Sequence, residues 1–148
     1  MKRFNFTLGK LLDYKDQVLS KEKNDLAQLR SERQNSEDEK AELEEKLRIS
    51  GEEYAAKAAR GMTVNDITMF KNFHSALMRQ IKDKEDEIAG LDLKIDRQTG
   101  VVVEASKDVN SLERLKDKQW EEYKFALNKS EEQFIEEYVS VSSFRQAQ

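Results

Sequence analysis

The chain has 148 residues, of which 38% are charged and 37% hydrophobic, with 30 acidic against 26 basic side chains and a net charge of −4. That length holds at most one modest domain, and the near balance of charge gives no electrostatic footprint for nucleic acid. Cysteine is absent and His74 is the single histidine, which excludes a disulfide scaffold, thiolate metal ligands, cysteine catalysis and a multi-histidine metal site.

Helix formation meets almost no obstacle, because there is no proline and glycine occurs only five times. Steps of four and three from Leu8 pass through Leu12, Lys15, Leu19, Glu22, Leu26, Leu29, Arg33, Ser36, Lys40, Leu43, Leu47 and Ser50 to Tyr54. Eight of those fourteen positions are apolar, which predicts a first helix over about 5–59 with an interrupted heptad seam. The interruption is Arg30 to Glu42, RSERQNSEDEKAE, and it should be the most easily opened part of that helix.

Residues 60–66, RGMTVND, read as the reversal. Gly61 suits the left-handed conformation that ends a helix, and Thr63 with Asp66 resembles a capping box. The same walk from Ile67 through Phe70, His74, Leu77, Ile81 and Ile88 to Leu112 is apolar at eleven of fourteen positions. It predicts a second helix over about 67–139, with Gly90 and Gly100 as places where it can bend, followed by a loose tail. A short reversal between two apolar stripes is an αα-hairpin, so the expected fold is all-α: one antiparallel two-helix coiled coil spanning 1–148.

With the turn centred near Thr63, Phe4 falls level with Glu122, and the second helix overhangs the first beyond that point. The apolar stripe continues there through Trp120, Tyr123, Leu127, Phe134, Tyr138 and Val141. About 20 residues of overhang is roughly 30 Å of helix, and a stripe of that size marks either a partner site or a place of folding back, fraying or self-association. Phe73 lies one position off the seam and forms an (i, i+4) pair with Leu77. It is either part of a wide core stripe near Tyr54 or an aromatic anchor for a second partner, at the far end of the hairpin from the overhang.

No catalytic constellation emerges. His74 sits on the seam between Phe70 and Leu77, which reads as a polar residue setting register or a partly exposed histidine rather than a general base. Adjacent acids such as Glu136 and Glu137 diverge by about 100° on a helix, and there is no phosphate-binding GxxxxGK or GxGxxG. Alternating charges such as KDKEDE are solvated helix faces, and a two-helix hairpin encloses no pocket in which to shift a pKa. The chain is therefore expected to be a non-enzyme without cofactor or metal. No apolar run approaches the ~20 residues of a membrane span, and no signal-peptide pattern follows the first residues, which together predict a cytoplasmic location.

Three blocks resemble the FliJ family of flagellar type III export proteins, also called flagellar export chaperones. They are FNFTLGKLLDYKD (Phe4 to Asp16), GMTVNDITMFKNFHSALMRQI (Gly61 to Ile81) and LERLKDKQWEEYKFALNKSEEQFIEE (Leu112 to Glu137). They keep the family's order over nearly the whole chain; the family often closes with Asp-Glu where this chain has Glu136-Glu137. The resemblance implies a hairpin similar to the central stalk of rotary ATPases. Its paired terminal region would enter the pore of the hexameric flagellar export ATPase and promote its assembly. That would place Phe4, Phe6, Leu8, Trp120, Tyr123, Leu127, Phe134 and Tyr138 at the ATPase. It further implies an export-gate membrane protein as partner, bound by Phe73 and Leu77, although Gln80 and Lys84 stand where the family has Ala and His. Escort of substrate chaperones, motility, and a peripheral place at the cytoplasmic face of the inner membrane complete what it implies. A stalk of this kind would be a monomer; the alternative is a structural scaffold or tether that self-associates through its C-terminal aromatic stripe.

Overall fold

The computed structural model describes residues 2–147. It consists of two α-helices, α1 over Gly9–Arg60 and α2 over Val64–Ala147, and no strand occurs among the described residues. The helices run antiparallel on each other as an all-α helical hairpin. Both predicted seams are found where the spacing puts them: every seam position of α2 from Ile67 to Leu112 is buried or half-buried except His74. Of the first seam only Leu8, in the turn just before α1, is exposed.

Three helix ends differ from the expected ones. α1 starts at Gly9, not near residue 5, because the preceding segment is spent on a turn that tucks Phe6 inward, with Gly9 N–H donating to the Phe6 carbonyl at 3.0 Å. α2 starts at Val64 rather than 67, because Thr63 is its N-cap. The Thr63 hydroxyl accepts from the Asp66 N–H at 3.1 Å, and an Asp66 carboxylate oxygen accepts from the Thr63 N–H at 3.2 Å. This reciprocal pair closes the capping box with aspartate in the role of glutamate. α2 then continues through Ala147 with no loose tail after 139, since neither glycine nor proline follows Gly100. Gly61 carries the reversal at φ 103°, the only positive φ among the described residues. It accepts none of the strain a Cβ would bring there.

The chain packs as two compact units. Glu22–Val102 holds the turn and most of the seam. Leu26, Leu77, Ile81, Ile88 and Leu91 are buried in it, and Tyr54 stacks on Phe70 with centroids 4.0 Å apart. Its polar interruption is filled by inter-helix pairing instead of apolar contact. Ser36 is buried and donates to Glu87 at 3.1 Å; Arg33 meets Asp92 at 2.5 Å; Lys84 bridges Glu39 and Glu87; Lys40 meets Glu85 at 3.7 Å. Gln98 donates to the Glu22 carbonyl and carboxylate one layer further on. The charged pairs face solvent, so each contributes little stability but fixes which residues lie opposite.

The second unit comprises Met1–Lys21 with Val103–Gln148. Its core is Phe6, Leu12 and Val109, with Phe4, Leu19, Leu112 and Leu115 packed around them. Lys15 pairs with Asp108 at 3.3 Å on its edge.

Candidate functional site

The paired end of α1 and α2 is closed by aromatic rings. Phe4 meets Trp120 edge-on at 5.1 Å and Tyr123 at 5.6 Å, while Trp120 and Tyr123 stack at 5.7 Å. The Tyr123 hydroxyl donates to the Lys2 carbonyl at 2.7 Å, which ties the start of the chain to α2. The predicted level of Phe4 beside Glu122 is thus met to within a turn. Lys124 covers the outer face of the Trp120 ring at 5.7 Å and pairs with Glu121 at 2.9 Å.

Beyond Tyr123 no described residue of α1 accompanies α2. About 24 residues of helix, roughly 36 Å, stand without a packing partner. Phe134 is 71% exposed and Tyr138 68%, with Val141 and Phe144 continuing the stripe. A shallow groove runs between Leu127, Ser130, Glu131, Phe134 and Ile135. The seam pattern missed three exposed side chains there: Phe125, Ile135 and Val139 lie off the stripe. Their signal was residue type alone, since large apolar groups on the solvent side of an unpaired helix have no packing reason to be present.

The eight residues suggested for this end therefore divide by exposure. Phe6 is buried in the core with Leu12 and Val109, and Phe4 is half-buried against Trp120. Tyr123 and Leu127 are half-buried; Leu8, Trp120, Phe134 and Tyr138 are open. On α1 the structure adds Leu11 and Tyr14, the latter 60% exposed, as a second apolar face of the same unit.

The Phe73–Leu77 pair separates in the same way. Phe73 is 50% exposed, whereas Leu77 is 4% exposed and belongs to the seam. Adjacent on that side, Met69 is also open. Of the two readings of His74, the exposed one is found: it lies beside Phe70 at 5.8 Å, and Gly51 across from it offers no side chain to cover the ring.

Electrostatically, the perturbed groups are spread over the turn, the pairs across the polar interruption and ion pairs within single helices. The Thr63 N–H, the Lys57 ammonium and the Thr63 hydroxyl together hold the Asp66 carboxyl below its usual range. Lys84 and then Ser36 do the same for Glu87. Arg48, gripped by Glu45 and Glu52, is held still more firmly protonated than a free guanidinium. Each is an ion pair or a cap, and none is aimed into a cavity. Among the described residues no cluster of three or more His, Cys, Asp or Glu side chains is placed to hold a metal ion, and no helix is long and apolar enough to cross a membrane.

No curated protein and no solved structure matches the chain. The family model described as Flagellar FliJ protein matches residues 4–148, which takes in the ring-closed end, the turn and the whole unpaired part of α2. A chain matched over that length, folded as a helical hairpin, belongs to the FliJ family, whose members are components of flagellar protein export.

Proposed function

We propose that this chain is a non-enzymatic, stalk-like component of the flagellar export apparatus. Its ring-closed end and unpaired helix enter the pore of the hexameric export ATPase and promote its assembly and activity. The observation that carries this reading is the unpaired stretch of α2, which presents Phe134, Tyr138 and Val141 to solvent with nothing of its own chain to bury them, next to the part-exposed Trp120 of the ring cluster. Burial of such a stripe in a receptor is the favourable term, at about 25 cal/mol for each Å² removed from water. One copy of a hairpin suffices for one pore.

The test is ATP hydrolysis by the cognate export ATPase, titrated with this protein at fixed enzyme concentration. Stimulation that saturates near one copy per hexamer is expected, and Trp120→Ala with Phe134→Ala should raise the concentration needed while leaving helicity intact. Unchanged titration by both variants would remove the unpaired helix from the ATPase contact. No stimulation by the folded wild-type protein would favour the scaffold or tether reading.

The export-gate contact rests on Phe73, with Leu77 acting from the core to hold the helix face that presents it. Escort of substrate chaperones belongs to the same reading, supported by family membership. Phe73→Ala should reduce gate binding and spare ATPase stimulation.

A further inference from the structure

At ~100° per residue, Trp120, Tyr123, Leu127, Phe134, Tyr138 and Val141 fall within an arc of about 60° on α2, a single stripe roughly 32 Å long. The chain covers only one end of it. Residues 2–6 form no helix and lie against α2, where the Phe4 ring packs on Trp120 at 5.1 Å and on Tyr123 at 5.6 Å. Phe4 thus does for these two rings what a receptor must do for Phe134 and Tyr138, which stand open to water. The contact is lightly held. Besides the Phe4 ring there is the hydrogen bond from the Tyr123 hydroxyl to the Lys2 carbonyl, and among the described residues no backbone–backbone bond engages Lys2 to Asn5. Phe6 is the anchor: it is buried with Leu12 and Val109, and its carbonyl accepts from the Gly9 N–H at 3.0 Å. Residues 2–5 can therefore swing about Phe6 without opening a layer of the seam.

We infer that residues 2–5 are an autoinhibitory strap: Phe4 occupies the Trp120–Tyr123 layer of the stripe and is displaced when the receptor of α2 takes the whole of it. On the stalk reading, on which this rests, that receptor is the ATPase pore. A receptor advancing along the stripe from the free end of α2 meets nothing of this chain at Tyr138 or Phe134, and then reaches Phe4 on the same face. Packed side chains leave no room for a second occupant, so strap and receptor exclude each other at Trp120 and Tyr123. By displacing one ring the receptor gains two, and aromatic side chains carry the largest apolar surface such a face offers. While the strap is closed, the apparent affinity is the intrinsic one reduced by the fraction of molecules that are open. Phe4 is then a competitor of the ATPase, whereas the resemblance to the family places it among the residues that touch the ATPase.

The titration of the export ATPase is repeated with wild type, Phe4→Ala and Tyr123→Phe. Tyr123→Phe removes the tie to Lys2 and keeps the ring on the stripe, so it decides the matter even where Phe4→Ala loosens the unit. Both variants should reach half-stimulation several-fold below the wild-type concentration, with unchanged circular dichroism. A spin label on Lys2→Cys, the chain having no other cysteine, should become more mobile when the ATPase is added. Trp120 is the single tryptophan, so acrylamide quenching of its fluorescence reads the strap in the protein alone, and both variants should raise it. Half-stimulation at an equal or higher concentration for both variants would overturn the strap and leave the stalk reading in place. So would a label that the ATPase leaves unchanged or immobilises. Equal quenching in all three proteins would overturn the strap whatever the ATPase does. Absence of stimulation by wild type and variants alike would overturn the stalk reading, and the strap's regulatory role with it.

Discussion

Leu77→Ala and Phe73→Ala separate a residue that supports a surface from one that forms it. Leu77 is 4% exposed between His74 and Ile81, whereas half of Phe73 faces water. Truncating leucine to alanine removes three carbons, which at ~0.8 kcal/mol each is about 2.4 kcal/mol of lost transfer energy before any cavity term. Buried Leu→Ala changes span about 2–5 kcal/mol. A two-helix interface is thin and lets water and neighbouring side chains fill the gap, so the lower half applies, about 2–3 kcal/mol. For a chain of this length that lowers Tm by about 4–12 °C. Phe73→Ala should cost under ~1 kcal/mol, because much of the ring is already solvated. Thermal unfolding followed by circular dichroism at 222 nm reads both, the wavelength being the usual helical minimum. Binding to the export gate, measured well below either midpoint, should fall for Phe73→Ala and persist for Leu77→Ala. Equal small shifts in Tm would refute the assignment of Leu77 to the seam. Loss of gate binding by folded Leu77→Ala with retention by Phe73→Ala would refute Phe73 as the contact.

The turn and the ion pairs give further expectations. Gly61→Ala should destabilise by about 1–2 kcal/mol through backbone strain alone, since φ is 103° and a Cβ would meet nothing within 4 Å; denaturant midpoints measure it. Thr63→Ala removes the side-chain half of the capping box and should cost about 1 kcal/mol in the same assay. Asp66, Glu45 and Glu87 all have folded pKa values depressed by their partners. Their contribution is therefore complete above the ordinary carboxylate range of about 4 and is lost as pH falls through the lowered values. Tm should hold steady from neutrality down to about pH 4 and drop below it, and Asp66→Asn should lower the plateau and flatten the acid limb.

The heptad walk was enough to place both seams and the level of Phe4, because a 3.5-residue repeat and one short turn leave a hairpin few alternatives. Ser36 and Arg33 show where pattern stops. The walk marked Arg30 to Glu42 as an interruption, yet the opposing helix answers it with Lys84, Glu85, Glu87 and Asp92, and which pairs form depends on side-chain reach across the interface. Phe6 shows a second limit. Its spacing suits the start of a helix, but burial against Leu12 and Val109 wins over local propensity and delays α1 to Gly9. At Leu77 the seam position already foretold burial, and the resemblance to the family pointed the other way; the side chain follows the seam. A loose segment after 139 is the expectation for the last residues of a helical chain, but VSVSSFRQA contains no residue that stops a helix and α2 runs on through it.

Phe125 distinguishes a receptor that surrounds the end of α2 from one that grips a single face of it. On a helix it lies about 160° around from the stripe that Leu127, Phe134 and Tyr138 define, and it is 73% exposed. A groove laid along the stripe covers about one face and leaves Phe125 in water. A pore encloses its insert from several sides and would bury Phe125 together with the stripe, removing much of a large aromatic surface. On the proposed pore reading, Phe125→Ala should therefore weaken ATPase stimulation by at least about tenfold, the equivalent of ~1.4 kcal/mol. Tyr138→Ala, on the stripe, should weaken it whether the receptor is a pore or a groove. The hydrolysis titration on both variants gives the comparison. Full ATPase stimulation by Phe125→Ala would mean that the receptor grips one face of the helix, as a groove does, and does not surround it.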